Sequence, residues 1–255
     1  MGKGYVRFLF VMSAILLASA VVHTSVFIVN ESPWMGTVSW RKPIVFAISF
    51  AITNLTLAWV LHLLPQATWK GWVLAVTFGL TGFAEVSLIS LQQWRGVPSH
   101  FNTANSFDLS VVIAMGALFL PLMLSLLGIA IWSWISLPQK TSLALAMRIG
   151  MRFLIVGQAV GLMIILKGVA LLRAHHGSIV ALYPAINTAK IPHAICLHAV
   201  QALCVVGALA DRGLKSDKTG RWIVILISLA ILAVLGVTFL GVSRVRLHSA
   251  SHLRA

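Results

Sequence analysis

The chain has 255 residues, of which 59% are apolar and only 9% are charged, and its mean hydropathy is +0.97. Soluble domains carry about 25% charged residues, so a chain with this composition needs lipid as its solvent. The formal charge of +14 would suit nucleic acid in a soluble protein. Here the basic residues lie mostly at helix ends and in short loops, where they contact anionic lipid headgroups. We therefore expect the lipid bilayer as partner and no nucleic acid.

The apolar runs are about 20 residues long or longer and show no strict alternation, which predicts membrane-spanning helices and excludes a barrel. The predicted fold class is all-α, a polytopic membrane bundle of about seven transmembrane helices in a single transmembrane domain over residues 1–255. The predicted helices cover residues 7–29, 43–64, 70–92, 108–135, 144–171, 192–211 and 222–243.

Basic residues also predict the orientation of the bundle. Lys3 and Arg7 precede the first helix, and the short loop 212–221 is basic. Because positive loops stay on the cytoplasmic side, these features favour a cytoplasmic N-terminus. In the fifth helix Gly157 and Gly161 are four residues apart, and small residues at this spacing allow close helix packing.

Polar residues collect in alternate loops. Hairpin-connected spans bring loops one, three and five to the same face of a bundle, while the even-numbered loops are simpler in composition. The residues expected on the shared face are His23, Lys42, Arg95, His100, Asn102, His175, His176 and His193. We therefore expect a polar site on this face.

A carboxylate inside the third helix is the strongest single candidate. A charged residue in a span is costly, and it is by default a functional candidate with a partner. Glu85 and Gln92 lie on the same face of the third helix, and this face points toward loop three. Arg95 or a histidine is the expected partner of Glu85. The alternative is that Glu85 is a protonated or hydrogen-bonded packing residue. Asp108 is interpreted as a helix N-terminal residue that the helix dipole favours, and a functional carboxylate is the alternative.

Histidines offer ligands for a metal or a haem. His193 and His198 are five residues apart, about 140° around a helix, whereas metal-binding histidines on one helix prefer spacings of three or four. A site assembled from several helices can still take zinc or iron from His23, His100, His193, His198 and Glu85. Two histidines from different helices can also ligate haem. The alternative is that each histidine packs in the bundle or contacts headgroups.

Three motifs carry a resemblance to a known family. They are Lys42-Pro43-x-x-Phe46, Gln92-x-x-Arg95-Gly96-x-x-Ser99-His100-Phe101-Asn102, and Pro192-His193 followed by Leu197-His198-Ala199-x-Gln201. In these motifs the chain resembles a family of uncharacterised bacterial multi-pass integral membrane proteins. The resemblance implies a multi-pass architecture and a location in the bacterial inner membrane, and it implies no activity.

Three functions remain open at this point. The leading hypothesis is a membrane enzyme or electron carrier with a bound metal or haem. Its assigned residues are Glu85, Arg95 and Asn102 for catalysis, His100, His193 and His198 for the cofactor, and Lys42 with Arg95 for an anionic substrate. The alternative is a cofactor-free transporter or ligand-binding sensor, in which Glu85 relays a proton or binds a cation. The third is a non-catalytic subunit of a homo-oligomer or a larger membrane complex. Transporters often have symmetric halves, and this chain shows none.

Overall fold

The structure, a computed structural model, describes residues 3–137, 140–174, 186–214 and 216–252, with side chains described as far as residue 240. The described ranges contain seven long helices and no β-strand. The helices are α1 Gly4–Val29, α2 Arg41–Leu63, α3 Thr68–Trp94, α4 Ser106–Ser136, α5 Ser142–Ala174, α6 Lys190–Gly213 and α7 Asp217–His252. All seven are long and apolar enough to cross a membrane, α7 through its part Asp217–Leu240. The chain is a multi-pass membrane protein of the all-α class.

The predicted helix ends agree with the structure to within a few residues, except at the end of α7. This helix continues to His252, whereas the sequence predicts an end at residue 243. The apolar span ends near Leu240, but no glycine or proline follows Gly241, so nothing in the basic tail interrupts the helical backbone.

The chain divides into two compact units. The first contains α1 to α4, and the second contains most of α5 together with α6 and α7. The single domain over residues 1–255 stays a prediction.

In the first unit α1 packs against α2 and α3, and α3 also packs against α2 and α4. At one end the Nζ of Lys3 donates to the carbonyls of Leu61 and His62, each at 2.9 Å, and to that of Leu64. The last carbonyls of a helix lack partners within the helix and carry partial negative charge. Lys3 therefore caps the C-terminus of α2 from the start of α1.

Loops one and three lie at the other end of the first unit. His23 near the end of α1 accepts a hydrogen bond from the indole N–H of Trp94, with 3.3 Å between the nitrogens. The Trp94 ring packs edge-on against Trp40, the residue before α2, with 5.0 Å between ring centroids. Loops one and three therefore lie at the same end of the first unit. In loop five, His175 and His176 lie outside the described residues.

In the second unit glycines allow α5 and α6 to approach closely. A Cβ added at Gly150 would lie 2.7 Å from the Cα of Val200, and one at Gly157 would lie 3.0 Å from the Cβ of Cys196. Real Cβ atoms essentially never approach another atom as closely as the first of these distances. The predicted close packing through small residues of α5 is confirmed.

Candidate functional site

Loop three folds back into the first unit. Gly96 has φ +68° and Phe101 has φ +61°, both in the left-handed region. Glycine adopts this region freely, whereas for phenylalanine it costs free energy that packing must offset. Phe101, Ser99 and Asn102 are all buried, which is the packing that holds the loop in place. The segment between α3 and α4 is therefore part of the packed unit.

This fold of the loop brings His100 to Glu85. The Nε2 of His100 lies 3.6 Å from the Oε1 of Glu85, and the side chains are 29% and 15% exposed respectively. Glu85 lies nine residues before Trp94, about 14 Å along the helix from its end. The Phe46 ring lies 5.9 Å from the imidazole, measured between centroids. The carboxylate inside the span thus has a histidine partner, one of the two kinds that the sequence predicts.

The imidazole of His100 has a second polar neighbour on its other nitrogen. Its Nδ1 lies 3.0 Å from the Oγ of Ser99, so the ring lies between a hydroxyl and the Glu85 carboxylate. The sequence reasoning missed Ser99, although it directly precedes His100 in the Ser-His-Phe-Asn run that carries the resemblance.

Arg95 pairs with Asp108. The guanidinium Nη1 forms an ion pair with the Asp108 carboxylate and also donates to Gln92. The side chain of Asp108 is only 2% exposed, and its oxygens also accept from the Gln92 amide at 3.0 Å and the Asn105 amide at 2.8 Å. Asn105 caps α4 by accepting from the backbone N–H of Asp108 at 2.9 Å. Asp108 does lie in the first turn of α4, but it also anchors Arg95, a role absent from its sequence interpretation.

Lys42 and Asn102 contribute to the backbone structure of loops one and three. The Nζ of Lys42 donates to the carbonyl of Thr37 at 3.1 Å, and the Oδ1 of Asn102 accepts from the N–H of Ala104 at 3.2 Å. The substrate-binding role of Lys42 and the catalytic role of Asn102 stay predictions.

His193 and His198 lie on α6 in the second unit. The Nδ1 of His193 donates to the carbonyl of Gly157 at 2.7 Å, since a carbonyl oxygen only accepts. A Cβ at Gly161 would lie 2.9 Å from the same ring, so His193 fills the space that two glycines of α5 leave. His198 is half-buried on this helix.

Within the described part of the chain, no three His, Cys, Asp or Glu side chains gather to hold one metal ion. This arrangement lends no support to the metal and haem hypotheses.

Comparison with known proteins adds no relative. No protein-family model matches the chain, and no curated protein or solved structure matches it. The resemblance to bacterial membrane proteins stays a prediction.

Proposed function

We propose that the protein binds a small cation in exchange for a proton at the Glu85–His100 pair, as a cofactor-free transporter or ligand-binding sensor. The observation that carries the proposal is the partner of Glu85, an imidazole nitrogen 3.6 Å from its carboxylate oxygen. The permanent cation nearby, Arg95, is paired with Asp108.

Arg95 and a protonated His100 are both cations, but they differ in whether they can lose the proton that carries the charge. An arginine keeps its charge in proteins, so an arginine partner would hold Glu85 permanently neutralised. A histidine exchanges its proton near neutral pH. When a cation binds the Glu85 carboxylate, His100 can release its proton, and the net charge of the site stays the same. Such an exchange suits a span, where an uncompensated charge is costly.

The surroundings favour this exchange. The Ser99 hydroxyl holds Nδ1 of His100, which turns Nε2 toward Glu85. The ring of Phe46 covers the imidazole and lowers the local dielectric constant. The orientation favours the interaction of Glu85 with a protonated His100, and the lower dielectric constant strengthens the interaction of the carboxylate with whichever positive charge lies beside it.

Proton release on cation binding tests the proposal. The purified protein is kept in a weakly buffered detergent solution that contains a pH-indicator dye. Sodium, potassium, ammonium and methylammonium chloride are then added in separate experiments. We expect at least one of the four cations to release about one proton per protein. Glu85→Gln should abolish the release, whereas Glu31→Gln, a matched change at an exposed loop residue, should preserve it. Silence with all four cations, or an unchanged release from Glu85→Gln, would contradict the proposal.

A second candidate function comes from the order Ser99, His100, Glu85. Serine hydrolases place a hydroxyl, an imidazole and a carboxylate in this series, with the histidine as general base. Ser99 is only 3% exposed, so a substrate or probe must be small and lipid-soluble. Labelling by a small fluorophosphonate that disappears in Ser99→Ala would support an esterase. Absent labelling, or equal labelling of the variant, would dismiss it.

A further inference from the structure

A groove lies between α1 and α3 in the first unit, on the side of α3 that is turned away from Glu85. Its volume is about 360 Å³, and its wall on α3 includes Phe83, Ser87, Ser90 and Trp94, which share one face of the helix. Phe83 is 39% exposed on the apolar surface of the span. The groove therefore opens toward the bilayer.

The groove changes in polarity along its length. Trp94 lies at the end of α3 beside loop three, where tryptophans meet the membrane interface. Ser90 is one turn deeper, about 6 Å along the helix, and Phe83 is about 16 Å deeper than Trp94. On α1 the same order runs from His23 through Ser19 to Leu16. This sequence of interface aromatics, hydroxyls and apolar side chains matches the headgroup, ester and chain of a phospholipid.

Two hydroxyls in the wall need an acceptor. Ser90 lines the groove, and its Oγ has no hydrogen-bond partner within the described residues. Because this oxygen is closed off in the observed rotamer, a ligand reaches it by rotation about χ1 of Ser90. The Oγ of Ser19 lies 3.2 Å from Nδ1 of His23, but this nitrogen already donates to the Ser19 carbonyl at 2.7 Å. Nδ1 of His23 therefore carries a hydrogen, and the Oγ of Ser19 is a second acceptor for it. The hydroxyl hydrogen of Ser19 is then still available for donation to another acceptor. A ligand that supplies carbonyl oxygens at this depth would satisfy both serines.

We propose that this groove binds a diacyl glycerophospholipid, with its ester carbonyls at Ser19 and Ser90 and an acyl chain along Leu16 and Phe83. The site is separate from the Glu85–His100 pair and does not depend on its function. In this proposal the ester carbonyls are what the two serines recognise. Ether lipids of the same shape lack these carbonyl acceptors and should therefore bind less well. Each carbonyl hydrogen bond leaves the hydroxyl satisfied where the described residues offer none.

Photolabelling with matched lipids tests the proposal. Nanodiscs receive a trace of a phosphatidylcholine with a mid-chain diazirine, either as the diacyl ester or as the dialkyl ether. After irradiation, mass spectrometry measures the label on residues 16–23 and 83–94. We expect the ester to label these segments about fivefold more than the ether, the size of effect that one or two hydrogen bonds give. In the double variant Ser19→Ala/Ser90→Ala this ratio should fall to about one.

A pair of valines supplies the matched steric control. Val22 lines the groove and Val73 lines a second groove of about 480 Å³ between α3 and α4, and both side chains are 55% exposed. Val22→Phe should reduce labelling of the first groove by both lipids, and Val73→Phe should leave it unchanged. The proposal is overturned if the wild-type ratio is near one, if the double serine variant keeps the ester preference, or if Val22→Phe has no effect.

Discussion

His100 lies in loop three of the first unit and His193 lies in α6 of the second, and the sequence makes both of them candidate ligands. Their partners differ. His100 lies between the Glu85 carboxylate and the Ser99 hydroxyl, whereas His193 donates to the backbone carbonyl of Gly157. A carboxylate can form an ion pair with a protonated imidazole, whereas a neutral carbonyl can only accept a hydrogen bond from it. The comparison teaches that the partner of a membrane histidine decides which chemistry is open to its side chain.

The largest expected effect concerns the ion pair between Arg95 and Asp108. Asp108→Ala should lower the free energy of unfolding by about 2 to 3 kcal/mol, because it removes the carboxylate that the guanidinium and the Gln92 amide share, while the Arg95 side chain, 33% exposed, stays partly solvated. Reversible unfolding in mixed detergent micelles measures this loss. Asp217→Ala, at an exposed residue of α7, is the control and should cost little. A loss below about 1 kcal/mol for Asp108→Ala would show that the pair is not structural.

The packing of the second unit should be nearly as sensitive. Gly150→Ala places a Cβ within 2.7 Å of the Cα of Val200, a backbone atom that cannot move alone. We expect a loss of about 2 kcal/mol from overpacking. Gly236→Ala meets no atom within 4 Å and should be neutral or slightly stabilising. Equal effects of the two substitutions would show that α5 and α6 do not pack this closely.

Substituting the two histidines separates charge exchange from packing directly. His193→Phe should cost about 1 kcal/mol of stability through the lost hydrogen bond, while cation-driven proton release remains. His100→Asn should abolish proton release, because the exchanged proton is on its imidazole. Thermal unfolding and the dye assay measure the two properties on the same samples. A loss of proton release in His193→Phe would break the distinction between the two histidines.

The sequence predicts the helices well because each span is a long apolar run with clear ends. In α7 the apolar run ends near Leu240 while the helical backbone continues to His252, so the apolar composition marks the span but not the end of the helix. The candidate site is predictable only in part. Loop-to-loop proximity follows from hairpin topology, whereas the contacts of His23 and Trp40 with Trp94 are seen only in the structure. The pairing of Glu85 depends on the left-handed backbone at Phe101, which no local pattern indicates. The sequence offers Arg95 as a second possible partner of Glu85, but the structure pairs Arg95 with Asp108.

The central claim is that Glu85 interacts with His100 and does not interact with Arg95. A double-mutant cycle tests this claim most directly. Unfolding free energies are measured for Glu85→Gln, His100→Asn, Arg95→Met and the two double variants that contain Glu85→Gln. We predict a coupling of about 1 kcal/mol between Glu85 and His100 and less than about 0.3 kcal/mol between Glu85 and Arg95. A larger coupling of Glu85 to Arg95 than to His100 would contradict the claim.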